Sequence, residues 1–240
     1  MFHPRFLPLI AVLALLVGAQ ACSEKLSKKT GLTAQDLYNR GREKQSAKKY
    51  KDAVEAYQLF LERFPNSPLA GKVQLGLADS KMDKKEDLEA EVAFDDFLRL
   101  YPADDNVAYA LYRKGELLAR QVPDPGRDQT KTAEAVKAFS LSLEKNPNGP
   151  YAPKARVKIG ELRNRLAEHE KRIVEHYITR KKYEAAELRA RRTLAAYPDT
   201  KAVPEIMAFL AVSLEKQKKN EEAAKIRQTI SEKFPQAGKK

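Results

Sequence analysis

The sequence predicts an all-α solenoid of five stacked helical hairpins, about ten helices, and three observations predict it. Proline closes a helical pattern five times, at Phe64-Pro65, Tyr101-Pro102, Asn146-Pro147, Tyr197-Pro198 and Phe234-Pro235, because a residue without an N–H cannot continue a helix. Small residues keep a fixed phase to those prolines. Twelve positions before them stand Ala53, Ala90, Ala135, Ala186 and Ala223, and thirteen after the first four stand Ala78, Gly115, Gly160 and Ala211, with Gly41 in the equivalent place of the first unit. The composition is rich in Lys, Glu, Ala and Leu, with 10 Gly, no Trp and one Cys, which suits a helical array and argues against a β-rich or disulfide-stapled fold.

The chain opens with Arg5 and an apolar run from Phe6 to Val17 that is too short to span a bilayer comfortably, so residues 1–21 read as a signal peptide. The run leads into Val17-Gly18-Ala19-Gln20-Ala21-Cys22, small residues directly ahead of the only cysteine. That arrangement resembles a bacterial lipobox. It implies that Cys22 becomes the lipidated first residue of the mature protein, and Ser23 behind it implies sorting to the outer membrane rather than the inner one.

Residues 22–32 form a short polar tether, residues 33–150 hold repeats one to three, residues 151–235 hold repeats four and five, and 236–240 are a tail. Small residues at fixed phase in both helices of a hairpin allow close crossing, with Tyr57, Phe94 and Phe139 filling the gaps four positions on. Ser67, Asn220, and Asp128 or Thr130 are the expected helix caps. Intervals between the prolines are 37, 45, 51 and 37, so two repeats are enlarged. In the third the excess holds Val122-Pro123-Asp124-Pro125-Gly126, a loop by composition. In the fourth, Gly160 to Ala186 is 26 residues where Gly41 to Ala53 is 12, and neither Pro nor Gly interrupts it. The extra 14 residues are close to four helical turns, so Tyr151 to Arg180 is expected to be one helix, the elongated first helix of its repeat, with its apolar face unrotated. The small–aromatic–Pro pattern resembles the tetratricopeptide repeat, which implies that each hairpin buries its face against its neighbours and leaves a surface for a partner.

Catalytic and metal chemistry is missing from the pattern. His169 and His176 are seven apart, about 10.5 Å along a helix and too far to share a metal, and no phosphate loop or nucleophile motif is present. The sequence therefore predicts no enzyme and no cofactor. Charge is more telling: of the formal net charge of +12, residues 151–240 carry 22 basic and 12 acidic groups, whereas residues 22–150 are balanced at 22 and 21. An export signal argues against nucleic acid as the partner of that basic half and leaves an acidic protein domain or anionic lipid. The dense runs Arg180-Lys181-Lys182 and Arg189, Arg191-Arg192 mark the expected contact, with Arg180, Lys182, Arg189 and Arg192 as candidates.

In the N-terminal half, the helical phase set by Gly41, Ala78 and Gly115 turns Tyr38, Asn39, Arg42, Lys72, Tyr109, Tyr112 and Arg113 toward one inner face. Tyrosines and cations there suit an extended peptide ending in an aromatic residue and a carboxylate, with Arg113 as a cationic clamp. The alternative is that the tyrosines pack between neighbouring hairpins.

Finally, Pro147-Asn148-Gly149-Pro150-Tyr151-Ala152, the run Leu162 to Glu170, Tyr197-Pro198-Asp199-Thr200, the lipobox, and Arg127-Asp128 ahead of the sixth helix resemble the BamD (ComL) family over essentially the whole chain. The resemblance implies a non-enzymatic scaffold of the outer-membrane β-barrel assembly machinery, lipid-anchored at the outer membrane and facing the periplasm. It implies binding to a BamA-like POTRA region through the C-terminal repeats and to unfolded outer-membrane proteins through the N-terminal ones, beside other lipoproteins of the machinery. It also puts Arg189 in the ninth helix with a partner-contacting role. Lys181 and Lys182 stand where relatives often have Gly, which implies a differently shaped turn. Another tetratricopeptide lipoprotein, such as a secretin pilotin or a peptidoglycan-enzyme partner, would share the anchor and the repeats.

Overall fold

The computed structural model describes residues 31–236; the signal peptide, Cys22 and most of the tether lie outside them. Ten helices follow one another: α1 (Ala34–Ser46), α2 (Tyr50–Arg63), α3 (Ala70–Asp83), α4 (Asp87–Leu100), α5 (Val107–Arg120), α6 (Thr130–Lys145), α7 (Ala152–Thr179), α8 (Tyr183–Ala196), α9 (Val203–Lys216) and α10 (Asn220–Lys233). They pair as five antiparallel hairpins of the tetratricopeptide type, and the first helices α1, α3 and α5 touch in succession along the inner face, as do α7 and α9. The second helix of every hairpin ends on the residue before a proline: Phe64, Tyr101, Asn146, Tyr197 and Phe234 are all C-caps, with ψ between 51° and 83°, outside the helical region. Proline excludes its predecessor from the helical region, so these five stops are local and sequence-encoded.

Four of the five hairpin turns share one geometry. Lys48, Lys85, Lys181 and Lys218 have φ of 57°, 71°, 58° and 65°. The next amide in each case donates five residues back, as Lys49 N–H does to the Lys44 carbonyl and Lys182 N–H to the Tyr177 carbonyl, which closes a Schellman motif. Lys181 thus takes the left-handed conformation that glycine favours, as Lys48, Lys85 and Lys218 do in their own turns. A lysine there also complements the negative end of the preceding helix. The N-terminal caps depart from expectation: α3 starts behind Leu69 and α10 behind Lys219, neither with a side-chain cap. Ser67 Oγ instead accepts the Leu69 amide, 3.2 Å away, and Asp128 accepts from the Thr130 amide at 3.0 Å.

The small-residue phase is the key to the packing. A Cβ at Gly115 would stand 2.7 Å from the Phe139 ring, and one at Gly41 would overlap the Tyr57 ring, so both glycines exist to admit an aromatic from the paired helix. Gly160 breaks the rule, since nothing lies within 4 Å of the space its Cβ would fill. The reason is the insertion. Val174, fourteen residues on, stands twelve before Ala186, which is the spacing of Gly41 to Ala53, and it is fully buried with Ala186 and Ala190. A large residue on the first helix meets small ones on the second, the reverse of Gly41 with Tyr57.

α7 is consequently a spine shared by two cores. Its first half, through Ala155 and Leu162, packs with Tyr112, Leu118 and Phe139 of repeat three. Its second half, through Ala167 and Val174, packs with Ala186, Ala190, Ile206 and Leu210 of repeats four and five. A helix of 28 residues is about 42 Å long, so the last two repeats are displaced along it by roughly 21 Å, the rise of the fourteen inserted residues.

Candidate functional site

The two enlargements of the chain meet. The loop between α5 and α6 lies on the middle of α7, where Arg165 Nε donates to the Pro123 carbonyl at 3.0 Å and Nδ1 of His169 is 2.6 Å from the Pro125 carbonyl oxygen. Gln129 fixes the loop from within by donating to the Asp124 and Arg127 carbonyls at 2.9 and 3.0 Å. Sequence reading found both insertions but had no signal for their contact, which joins residues more than forty apart.

On the inner face of repeats two and three, α3 and α5 are joined by a nearly closed polar network. Arg113 Nε donates to Asp79 at 2.8 Å, Nη2 to Asp83 at 3.0 Å and Nη1 to Glu116 at 3.1 Å, while the Tyr109 hydroxyl donates to the second Asp79 oxygen at 2.8 Å. Burial pushes the Asp79 carboxyl above its ordinary range even though Arg113 and Tyr109 pull it back. For Arg113, burial disfavours the cation but Asp79 more than restores it, so its pKa is raised. The expected clamp for a peptide carboxylate is therefore closed: Arg113 is held by three carboxylates of its own chain. Tyr112 is buried, stacks on Tyr151 with ring centroids 4.9 Å apart, and is pushed up to about 12 by burial and by its hydrogen bond to Glu116. Tyr109 lies 5.1 Å from the same ring. These three residues pack between hairpins, the alternative left open by the sequence. Asp79 directly follows the small Ala78 but stands 34 residues before Arg113, three short of the 37-residue repeat interval, so the sequence carries no signal for their pairing.

Of the other inner-face candidates, Asn39, Arg42 and Lys72 are exposed and Tyr38 is half-buried. The Arg42 guanidinium sits 5.7 Å from the Tyr38 ring centroid, and Asn39 accepts a hydrogen bond from Gln35 at 2.9 Å. Together they form a small aromatic and cationic surface at the start of the solenoid.

The C-terminal candidates separate into two groups. Arg189 lies in α8, the eighth helix rather than the ninth, and is tied to Glu170 of α7 through both Nε and Nη2, the latter at 2.9 Å. It locks the hairpin. Arg191 is likewise held, by Glu187 at 3.0 Å and Glu222 at 2.7 Å. Arg180, Lys182 and Arg192 are exposed and have no ion pair among the described residues. Beside them Leu188, 52% exposed, adds an apolar spot on α8. No group of three or more metal-ligating side chains occurs among the described residues, and no described helix is long and apolar enough to cross a membrane.

Comparison with known proteins adds the family. The model of the YfiO family, described as outer membrane lipoprotein, matches residues 31–230. The chain is 29% identical to outer membrane protein assembly factor BamD of Neisseria meningitidis serogroup B, over 94% of this chain and 90% of that one. It is 27% identical to the protein of the same description from Haemophilus influenzae, over 88% and 83%.

Proposed function

The chain belongs to the YfiO family of outer membrane lipoproteins, and from that premise we propose that it is a non-catalytic scaffold of the outer-membrane β-barrel assembly machinery. Cys22 carries the lipid that anchors it at the outer membrane, facing the periplasm. The face formed by Arg180, Lys182 and Arg192 docks an acidic surface on the POTRA region of a BamA-like protein. The observation that carries this reading is the division of the C-terminal cations: Arg189 and Arg191 are neutralised within the fold, whereas these three project from one turn and one helix with no carboxylate partner among the described residues. Arg189 supports the surface by holding α8 on α7. Unfolded outer-membrane proteins meet the inner face of the first repeats at Tyr38, Asn39, Arg42 and Lys72, the part that internal pairing leaves open. Other lipoproteins of the machinery share the scaffold.

Two measurements test the proposal. Cys22→Ser should move the protein from the membrane to the soluble periplasmic fraction with unchanged helicity; a variant that stays fully membrane-bound removes the anchor. Reversing Arg180, Lys182 and Arg192 to Glu should abolish capture of a POTRA fragment, and binding that ignores both the reversal and added salt removes the electrostatic contact.

A further inference from the structure

The solenoid is open on its outer side between repeats two and three. α4 touches α5 less extensively than any other consecutive pair of helices touch, and α4 and α6 flank α5, linked to each other by the Lys131–Glu91 ion pair. Between them runs a groove of about 630 Å³, with Leu98 of α4, Leu111 and Leu118 of α5, and Leu141 of α6 among the apolar residues lining it. Its carboxylates are already engaged: Lys131 reaches across from α6 to Glu91 at 3.0 Å and also holds Glu134 at 3.1 Å, and Lys114 holds Asp95. Two lysines of the α6 rim, Lys137 and Lys145, are exposed and have no ion pair among the described residues. The unbalanced charge of the groove is therefore positive and lies on one rim only.

We propose that this groove docks a short amphipathic helix of a partner polypeptide, apolar toward α5 and carrying carboxylates toward α6. Three features select that occupant. The stretch from Glu134 to Lys145 spans about 16 Å, three helical turns. Its walls are two helices with a third as floor, a geometry that receives the ridge of another helix. No strand edge exists among the described residues to hydrogen-bond an extended chain, so a segment that satisfies its own backbone is favoured. The charge asymmetry then sets polarity: Glu or Asp flanking the apolar stripe finds Lys137 and Lys145, and Lys or Arg there finds no free carboxylate. On α4, Leu88 and Val92, one on each side of Glu91 in sequence, are 73% and 56% exposed. This goes beyond the POTRA contact proposed above, which uses a different face.

The test uses the full-length chain in detergent and two fluorescein-labelled helical peptides that share a leucine stripe, one flanked by Glu and the other by Lys. In anisotropy titrations the Glu-flanked peptide should bind at least about ten-fold more tightly, and Lys137→Glu with Lys145→Glu should invert that order. Both sites are exposed, and an unchanged circular dichroism spectrum shows that the variant folds. Equal binding of the two peptides, or an order unmoved by the double reversal, overturns the proposal. So does loss of binding on reversing Arg180, Lys182 and Arg192 instead, which would assign the acidic helix to the C-terminal face. Failure of the membrane or POTRA experiments leaves these titrations unaffected, so the two readings fail separately.

Discussion

His169 Nδ1 and the carbonyl oxygen of Pro125 lie 2.6 Å apart, a hydrogen bond that ties the loop inserted in the third repeat to the helix inserted in the fourth. Because a carbonyl only accepts, Nδ1 carries the proton. The loop shields the middle of a helix that would otherwise stand uncovered between two cores.

Replacing His169 with Ala should free that loop. The expected cost is about 1 kcal/mol, the usual worth of one hydrogen bond. Limited proteolysis should show faster cleavage within residues 121–129, and an unchanged cleavage rate would mean that Arg165 and Gln129 hold the loop without it.

Gly160→Ala should stabilise the protein by about 0.5–1 kcal/mol, because a mid-helix glycine there serves no close contact and Ala loses less entropy on folding. Gly115→Ala should do the opposite, since its Cβ would stand 2.7 Å from the Phe139 ring. Thermal melts of the two variants moving in the same direction would contradict the assignment of register.

Lys181→Gly and Lys218→Gly should each raise stability by up to about 1 kcal/mol, as both residues occupy a left-handed conformation that costs an L side chain and costs glycine nothing. The gain is reduced by loss of a cation at the helix end. Chemical denaturation that shows either variant less stable would give the charge precedence over the backbone.

Arg113→Ala should destabilise by about 3 kcal/mol or more, because it strands Asp79 in a buried site. The folded carboxyl, already raised by burial, would rise further without its cation. Folded Asp79 then binds a proton more readily than the unfolded chain does, so the variant should recover stability as pH falls from 7 toward the unfolded carboxylate range. Melts of the variant that worsen monotonically over that interval would show that Asp79 is not the group left unpaired.

The sequence by itself determined the repeat count, every hairpin stop, and the position and helical nature of the long insertion. These rest on local chemistry: proline excludes its predecessor from the helix, a small residue must recur at each crossing, and fourteen residues return a helix to its own phase. Only the tertiary structure decided which side chains are available. Arg113 looked like an exposed ligand from its helical phase and Arg189 from its place in a basic run, but neither phase nor charge density says what stands opposite a residue. Carboxylates one helix away, Asp79 and Glu170, decide that. The same holds for Gly160, small by pattern yet uncovered, because the insertion placed after it carries the next hairpin about four turns along α7 and hands the crossing to Val174.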